Sequence, residues 1–203
     1  MPDEEKKAFE IVVTGGPCSG KTTSLVEIPG RLRNLGFKVF TVPEVATMFI
    51  GGGDLDIPAL IKDDIEKYYR FQELILRMQE SLRSHFQKLA RLYDCKKCVI
   101  VYDRGSMDGL AYTPPTKFME ILHRNFFTLE DVRDSYDLVI HLVTAADGAE
   151  EFYITENNKA RRETPEEAIK QDRETQKAWL GHRGKLNVID NSTDFAGKLD
   201  RFW

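Results

Sequence analysis

The sequence predicts an α/β fold in which helices cover both faces of a five-stranded parallel sheet. Short runs rich in β-branched residues alternate along the 203 residues with longer segments of helical periodicity. The run from Cys98 to Tyr102 has no polar alternation, which is typical of a strand buried on both faces. The first run leads directly into a glycine-rich turn and a helix. Together these observations favour parallel strands joined by crossover helices.

The segment from Phe9 to Leu25 reads as a strand, a glycine-rich turn and a helix. Its turn fits the Walker A pattern G-x-x-x-x-G-K-[ST] at every fixed position. Glycines let successive N–H groups point into one concavity, and the following helix directs its positive end there. Lys21 adds a charge for the β- and γ-phosphates, and the Thr22 hydroxyl is placed to coordinate Mg²⁺. The predicted nucleotide-binding residues are Gly15, Gly16, Pro17, Cys18, Ser19, Gly20, Lys21, Thr22 and Thr23.

The composition is that of a globular protein and excludes several classes of function. With a net charge of −4, the chain lacks the basic excess of a nucleic-acid-binding protein. No run approaches the roughly 18 apolar residues of a membrane span, and the charged N-terminus does not resemble a signal peptide. Three cysteines suit a reducing compartment. We therefore expect a single cytoplasmic domain over residues 1–203 without a transmembrane segment.

Four further strand-like runs follow the first one. They cover Phe37 to Val42, Cys98 to Tyr102, Asp137 to Val143 and Leu186 to Ile189. Helical periodicity is clearest between Asp63 and Tyr93. Gly51 to Asp56, by contrast, is too rich in glycine for a helix interior, so we expect either a mobile loop near the site or a plain linker.

Charged residues follow the second and third predicted strands. In a parallel sheet Glu44 would lie beside the phosphate loop, as a general base or as a carboxylate that holds a metal-bound water. Alternatively, it is a first-turn glutamate favoured by the helix dipole. Asp103 is suited to hold Mg²⁺ together with Thr22, or else caps the next helix. Arg104 would contact a phosphate or brace Asp103.

A basic stretch precedes the predicted helix near residue 165. Thr164 can cap this helix, with Pro165 at its first position and Glu167 completing a capping box. Arg161 and Arg162 lie just before it, in a lid region of about 144–165. They would close over the nucleotide and neutralise charge on the transferring phosphoryl group, or else form a solvated basic patch.

The loop after the fifth strand is expected near the nucleotide base. It runs from Asp190 to Thr193, and Asn191 is its candidate for nucleotide binding. The base-reading signature of GTPases, Asn-Lys-x-Asp after a strand, is missing from this loop. The pattern weakly favours adenine without excluding guanine, so either ATP or GTP remains open.

These motifs resemble those of the P-loop NTPases of the NadR/Ttd-type AAA group. The resemblance rests on T-G-G-P-C-S-G-K-T-T (Thr14 to Thr23), P-E-V-A-T (Pro43 to Thr47), V-Y-D-R-G-S-M-D (Val101 to Asp108), N-N-K-A-R-R-E-T-P-E-E-A (Asn157 to Ala168) and V-I-D-N-S-T (Val188 to Thr193). It implies a three-layer, kinase-like P-loop core with strand order 2-3-1-4-5 and binding of an Mg²⁺-nucleotide. Relatives of the Ttd kind carry a further C-terminal domain, so these residues are compatible with the N-terminal part of a longer protein.

The motifs and the resemblance lead to two main candidate functions. The first is a kinase that transfers the γ-phosphoryl group of Mg-ATP or Mg-GTP to a small, nucleoside-like acceptor. Its catalytic residues would be Lys21, Glu44, Asp103, Arg104, Arg161 and Arg162. The second is a nucleotide-dependent switch or slow NTPase that acts through protein partners in membrane-protein trafficking. A third possibility is a nucleotide-binding domain without catalysis.

Overall fold

The computed structural model describes residues 8–93, 97–153 and 164–202. Its centre is one sheet of five strands in the order β2-β3-β1-β4-β5. All neighbouring strands are parallel, which confirms the predicted fold class and strand order. The strands are β1 (Phe9–Gly15), β2 (Lys38–Val42), β3 (Cys98–Asp103), β4 (Leu138–Leu142) and β5 (Lys185–Ile189).

Helices cover both faces of this sheet. They are α1 (Lys21–Asn34), α2 (Val45–Gly53), α3 (Ile57–Asp63), α4 (Ile65–Leu92), α5 (Pro115–Arg124), α6 (Leu129–Arg133), α7 (Pro165–Ala178) and α8 (Phe195–Asp200). Short 3₁₀ helices span Ser106–Tyr112 and Glu150–Phe152. In the part of the chain that the structure describes, no helix is both long and apolar enough to cross a membrane.

The alternation of side chains along β1 builds two separate cores. Ile11 and Val13 face the side where Ile28 and Leu32 of α1 pack. Val12 points to the opposite side, where the buried residues include Ile100, Leu76 of α4, Phe118 of α5 and Trp179 after α7. Because successive strand residues point to opposite faces, both faces need apolar side chains, as the run in the sequence predicts.

The glycine-rich segment after β2 differs from the prediction. Gly51, Gly52 and Gly53 form the last turn of α2, and that helix ends at Asp54 in a left-handed conformation with φ 49°. Phe49 and Ile50 pack against a core of α4 residues that includes Phe71. Burial of these apolar side chains offsets the poor helix propensity of glycine, which amounts to about 1 kcal/mol per residue.

The long helix predicted from Asp63 to Tyr93 is confirmed as α4, and a short helix that was not predicted, α3, precedes it. Asp64 stands in an extended conformation between α3 and α4, and its carboxylate accepts a hydrogen bond from the Lys67 amide at 3.1 Å. Asp56 caps α3 in the same way through the Ala59 amide. These aspartates end one element and begin the next because their side chains satisfy otherwise unpaired helix amides.

A charged residue is buried at the start of β1, where the sequence pattern indicated an apolar strand. Glu10 is fully buried, whereas its neighbour Phe9 is 46% exposed. The Glu10 carboxylate accepts hydrogen bonds from the Tyr102 hydroxyl at 3.2 Å and from the Gln87 amide, and it lies 3.4 Å from Arg83 Nη1. These partners compensate for the desolvation of the charge.

The turn after β3 leaves no room for a side chain at Gly105. A Cβ at Gly105 would lie 2.7 Å from the Trp179 ring and 2.9 Å from Val12 Cγ2. We expect Gly105→Ala to destabilise the protein by about 1–3 kcal/mol through this clash. The midpoint of thermal unfolding should fall by several degrees, measured by circular dichroism.

The matched control is Gly30→Ala in α1, where no atom of the described residues, apart from the neighbouring backbone of the helix itself, lies within 4 Å of the added Cβ. This substitution should leave stability unchanged or raise it by up to about 1 kcal/mol, because alanine favours a helix. Equal unfolding midpoints for Gly105→Ala and Gly30→Ala would show that Trp179 leaves room for a side chain at position 105.

Candidate functional site

The register of the sheet brings the predicted site residues to one edge. Val13 pairs with Asp103, and Gly15 pairs with Leu142. The turn after β1 therefore lies between the ends of β3 and β4. Ligands of open α/β sheets bind at the carboxyl ends of the strands, which is where these residues meet.

The Walker A turn curls around the amine of its own lysine. Lys21 Nζ donates hydrogen bonds to the carbonyl oxygens of Gly15 at 2.9 Å and Gly16 at 2.7 Å. Gly15, Cys18 and Gly20 have φ values of 143°, 53° and 88°. Gly20 caps α1 without a side chain that could compete for the helix amides, so the turn suits an anion.

The first glycine of the turn is required by a close approach to β4. A Cβ on Gly15 would lie 2.1 Å from the carbonyl oxygen of Leu142. The loop also contacts the segment after β4, where Pro17 O accepts a hydrogen bond from the Thr144 hydroxyl and Cys18 O accepts one from the Ala145 amide. Thr22 and Thr23 are exposed in the first turn of α1.

The environment of Lys21 disfavours its charged form before a ligand binds. Burial lowers the pKa of the Lys21 ammonium group to about 7, and the positive charge of Arg104 adds to the effect. A polyphosphate in the turn would supply negative charge and raise this pKa again.

Glu44 and Arg104 form an ion pair next to the phosphate loop. Arg104 Nε donates to Glu44 Oε1 at 2.7 Å, and Glu44 Oε2 accepts a hydrogen bond from the Thr47 hydroxyl at 2.6 Å. Burial alone would raise the pKa of Glu44, but Arg104, Thr47 and Lys21 hold it below its ordinary value. Glu44 is the N-cap residue of α2 rather than the first-turn glutamate of the alternative prediction, and its side chain makes no capping hydrogen bond.

Asp103 fits a metal ion through a buried oxygen that lacks a hydrogen-bond partner. Its Oδ1 is such an atom among the described residues. Burial and the neighbouring Glu44 charge raise the pKa of Asp103 to about 6, so a cation beside it would be favourable. No three His, Cys, Asp or Glu side chains cluster around a common point in the described ranges. A P-loop Mg²⁺ needs no such cluster, because a hydroxyl such as that of Thr22, nucleotide phosphates and water complete its shell.

A cavity of about 260 Å³ lies beside the Walker A turn, and we call it the α8 cavity. Cys18, Ser19 and Gly20 line one side, and Phe195 and Lys198 of α8 line the other.

Asn191 also lines the α8 cavity, but its side chain is engaged. Its amide nitrogen donates to the carbonyls of Thr144 and Asp147, each at 2.7 Å, and its oxygen accepts from Lys198 Nζ at 2.6 Å. Asn191 thus joins the segments that follow β4 and β5, and its contact with a nucleotide stays a prediction.

A second cavity, which we call the α4 cavity, is lined by Glu44 and has a volume of about 180 Å³. Apolar and aromatic side chains form most of its wall, among them Ile50, Ile57, Phe71 and Ile75. Its polar lining consists of Glu44, Arg104, Asp108, Gln72 and Gln79. A small molecule in this cavity would lie against the Glu44–Arg104 pair.

Two buried carboxylates near the phosphate loop were not predicted from the sequence. Asp172 of α7 accepts the Gly16 amide at 2.6 Å and lies 3.2 Å from Nε2 of His141. Asp108 accepts hydrogen bonds from the Thr14 hydroxyl and from the indole nitrogen of Trp179. Apart from the presence of Asp108 in the V-Y-D-R-G-S-M-D motif, no sequence signal marks either residue. His141 is fully buried in β4.

Part of the predicted lid falls outside the described residues. Arg161 and Arg162 lie between 154 and 163, so their placement is not described. The predicted helix that follows is confirmed as α7. Thr164 and Glu167 form a capping box, with Pro165 in the first turn.

Nucleotide binding should take up a proton above neutral pH. The free ammonium group of Lys21, with a pKa of about 7, is mostly neutral at pH 8.5, whereas a bound triphosphate favours its charged form. Affinity for a purine triphosphate should therefore fall as pH rises from 7.5 to 9, by up to about tenfold per pH unit. Calorimetry in two buffers of different ionisation enthalpy measures the uptake directly.

The control for this measurement is Lys21→Arg, whose guanidinium does not titrate in this range. Its binding should be weaker but free of linked proton uptake. Absence of uptake in the unmodified protein would contradict the lowered pKa of Lys21.

A comparison with known families agrees with this geometry. Residues 10–197 match the family model described as AAA domain. No curated protein matches the chain. The match spans the whole sheet and the Walker A turn, and it supports a nucleotide-binding P-loop protein, generally with Mg²⁺. The chain therefore belongs to the AAA domain family.

Proposed function

We propose that this protein transfers the γ-phosphoryl group of a Mg²⁺-bound purine nucleoside triphosphate to a hydroxyl group of a small, nucleoside-like acceptor. The supporting observation is the α4 cavity, which meets the phosphate-loop side of the molecule at Glu44 and Arg104. An acceptor bound in this cavity would lie against the Glu44–Arg104 pair beside the phosphate loop.

The lining of the α4 cavity favours a compact, partly flat acceptor. Phe71, Tyr68 and Tyr112 present ring surfaces, and Gln72 and Gln79 supply amide groups suited to a heterocycle. This combination of apolar walls with a few polar groups is typical of small-molecule sites.

The charges around the α4 cavity favour an acceptor without an anionic group. Among its described lining residues, Arg104 is the cation, and it is paired with Glu44 at 2.7 Å and lies 3.5 Å from Asp108. Two carboxylates against one guanidinium leave the lining net negative. A neutral or cationic nucleoside would therefore bind better than a nucleotide.

Each site residue has a defined part in the proposed reaction. The loop amides and Lys21 bind the β- and γ-phosphates, and Thr22 and Asp103 would hold the Mg²⁺, which neutralises charge on those phosphates. The acceptor oxygen attacks the γ-phosphorus, its proton passes to Glu44, and the bond to the β-phosphate oxygen breaks to release the nucleoside diphosphate. Arg104, and in this proposal Arg161 and Arg162, stabilise charge on the transferring group.

The alternative function is a nucleotide-dependent switch that acts in membrane-protein trafficking. Exposed apolar side chains on and near α2 and α3, namely Met48, Leu55 and Ile61, favour it. Glu44 begins α2, so a nucleotide that alters the Glu44–Arg104 pair would bias the position of this surface.

The test is product formation by the protein and its Glu44→Gln variant. With Mg-ATP or Mg-GTP and a panel of nucleosides, mass spectrometry should detect a phosphorylated acceptor. Glu44→Gln should retain nucleotide affinity but lose turnover by about 10²-fold or more, because glutamine cannot accept the proton. Lys21→Ala should lose nucleotide binding, measured by calorimetry.

Glu27→Gln on the exposed face of α1 is the matched control and should behave like the unmodified protein. Phosphate release without any phosphorylated acceptor would favour the switch instead. Full phosphoryl transfer by Glu44→Gln would exclude Glu44 as the base.

A further inference from the structure

We infer that Asp108 is a positioning residue that holds the Arg104 guanidinium between two carboxylates at the mouth of the α4 cavity. The inference deepens the proposed function and rests on it where turnover is measured. Asp108 lies in the 3₁₀ helix after β3, four residues beyond Arg104, and it is 2% exposed. It also lines the α4 cavity, but it has no direct part in the proposed phosphoryl transfer, so its effect on turnover would be transmitted by Arg104.

The backbone at Arg104 is held in a conformation that few side chains adopt. Its φ is 67°, in the left-handed region, where the Cβ of an ordinary residue comes too close to the backbone. The Arg104 amide donates to the carbonyl of Val13 at 3.0 Å, which ties this turn to β1. A strained conformation persists only where the surrounding contacts specify it.

The guanidinium itself lies between two acidic side chains. Nε bonds Glu44 at 2.7 Å, and Nη1 lies 3.5 Å from Asp108 Oδ2. This second contact is an ionic one, since Nη1 has no hydrogen-bond partner among the described residues. Nη1 is itself buried, so the Asp108 charge is the nearby group that compensates for its lost contact with water.

The Asp108 carboxylate is itself oriented by two donors from distant parts of the chain. The Thr14 hydroxyl lies 2.8 and 2.7 Å from its two oxygens, and Trp179 Nε1 donates to Oδ1 at 2.7 Å. Thr14 directly precedes the Walker A turn, and Trp179 is fully buried at the end of α7. Asp108 thereby links the position of Arg104 to the phosphate loop.

Removal of the Asp108 charge would leave Glu44 as the close acidic partner of Arg104. The guanidinium would then shift towards Glu44, and the buried Nη1 would lose its acidic neighbour. Misplacement of a catalytic group by about 1 Å can lower a rate by about 10²-fold. Because the phosphate-loop amides are unchanged and Asp108 is the weakest of the charges that act on Lys21, nucleotide affinity should be nearly retained.

The test compares Asp108→Asn with Glu10→Gln, a matched change of a buried carboxylate at the opposite end of β1. Asp108→Asn should lower kcat by about tenfold or more, with nucleotide Kd within about twofold of the unmodified protein. Glu10→Gln should lower the unfolding midpoint without this change in kcat. Asp108→Glu, which keeps the charge, should recover part of the turnover.

A second measurement does not depend on turnover. In ¹H–¹⁵N spectra of protein labelled on arginine, Arg104→Lys assigns the Arg104 Nε–H signal by its loss. Asp108→Asn should shift this signal, and Glu10→Gln should not. An unshifted signal, or equal kcat values in the two variants, would overturn the role of Asp108. If Asp108→Asn does not fold, Asp108→Glu replaces it, because displacement of the carboxylate by one methylene should also shift the signal.

The kinase function and the positioning role of Asp108 can be contradicted independently of each other. An unmodified protein that forms no phosphorylated acceptor would contradict the kinase function, and the arginine spectra would still decide the role of Asp108. An active protein whose Asp108→Asn variant keeps its turnover and its Arg104 signal would contradict only the positioning role.

Discussion

The parallel pairing of β1 with β3 on one side and β4 on the other is the constraint on which the site depends. It places the Walker A turn between the two strand ends, close enough that Gly15 meets the carbonyl of Leu142. The same register brings Asp103 level with Val13 and places Arg104 against the β1 backbone. The apolar cores on both faces hold this register, because a slip by one residue would turn every buried side chain to the wrong face.

Several charged side chains at this edge of the sheet repel one another when no ligand is bound. Lys21 and Arg104 repel each other, as do Glu44 and Asp103, and burial weakens the ionised form of Lys21 and of Asp103. A bound polyphosphate would reduce the repulsion between Lys21 and Arg104, and a bound cation would reduce the repulsion between Glu44 and Asp103. Such an arrangement reduces the stability of the free protein and increases the free energy gained on binding, which is common at functional sites.

Helix α7 connects this edge to the rest of the molecule. Asp172 holds the Gly16 amide, and Trp179 holds Asp108 and packs against Gly105. The phosphate loop and the turn after β3 are thus fastened to a single helix. This accounts for two buried carboxylates, Asp172 and Asp108, that lie close to the site without contacting the reacting atoms in the proposed reaction.

Local sequence was sufficient for the elements whose information is local. The strands were predicted from apolar runs, and the Walker A turn from glycine spacing and a lysine. The start of α7 was predicted from its capping residues. Prediction of the glycine-rich end of α2 as a loop was wrong, because the packing of Phe49 and Ile50 on α4 stabilises it and a propensity argument cannot include that packing.

The sequence by itself therefore determined the α/β class, the phosphate loop and the acidic residues at the strand ends, since each depends on neighbours along the chain. Only the tertiary structure decided which side chains complete the site. Thr14 and Asp108 are separated by 94 residues, and Gly16 and Asp172 by 156, yet each pair is joined by a hydrogen bond. Contacts at such separations exist only after the sheet and its crossover helices have assembled, because no local periodicity specifies them.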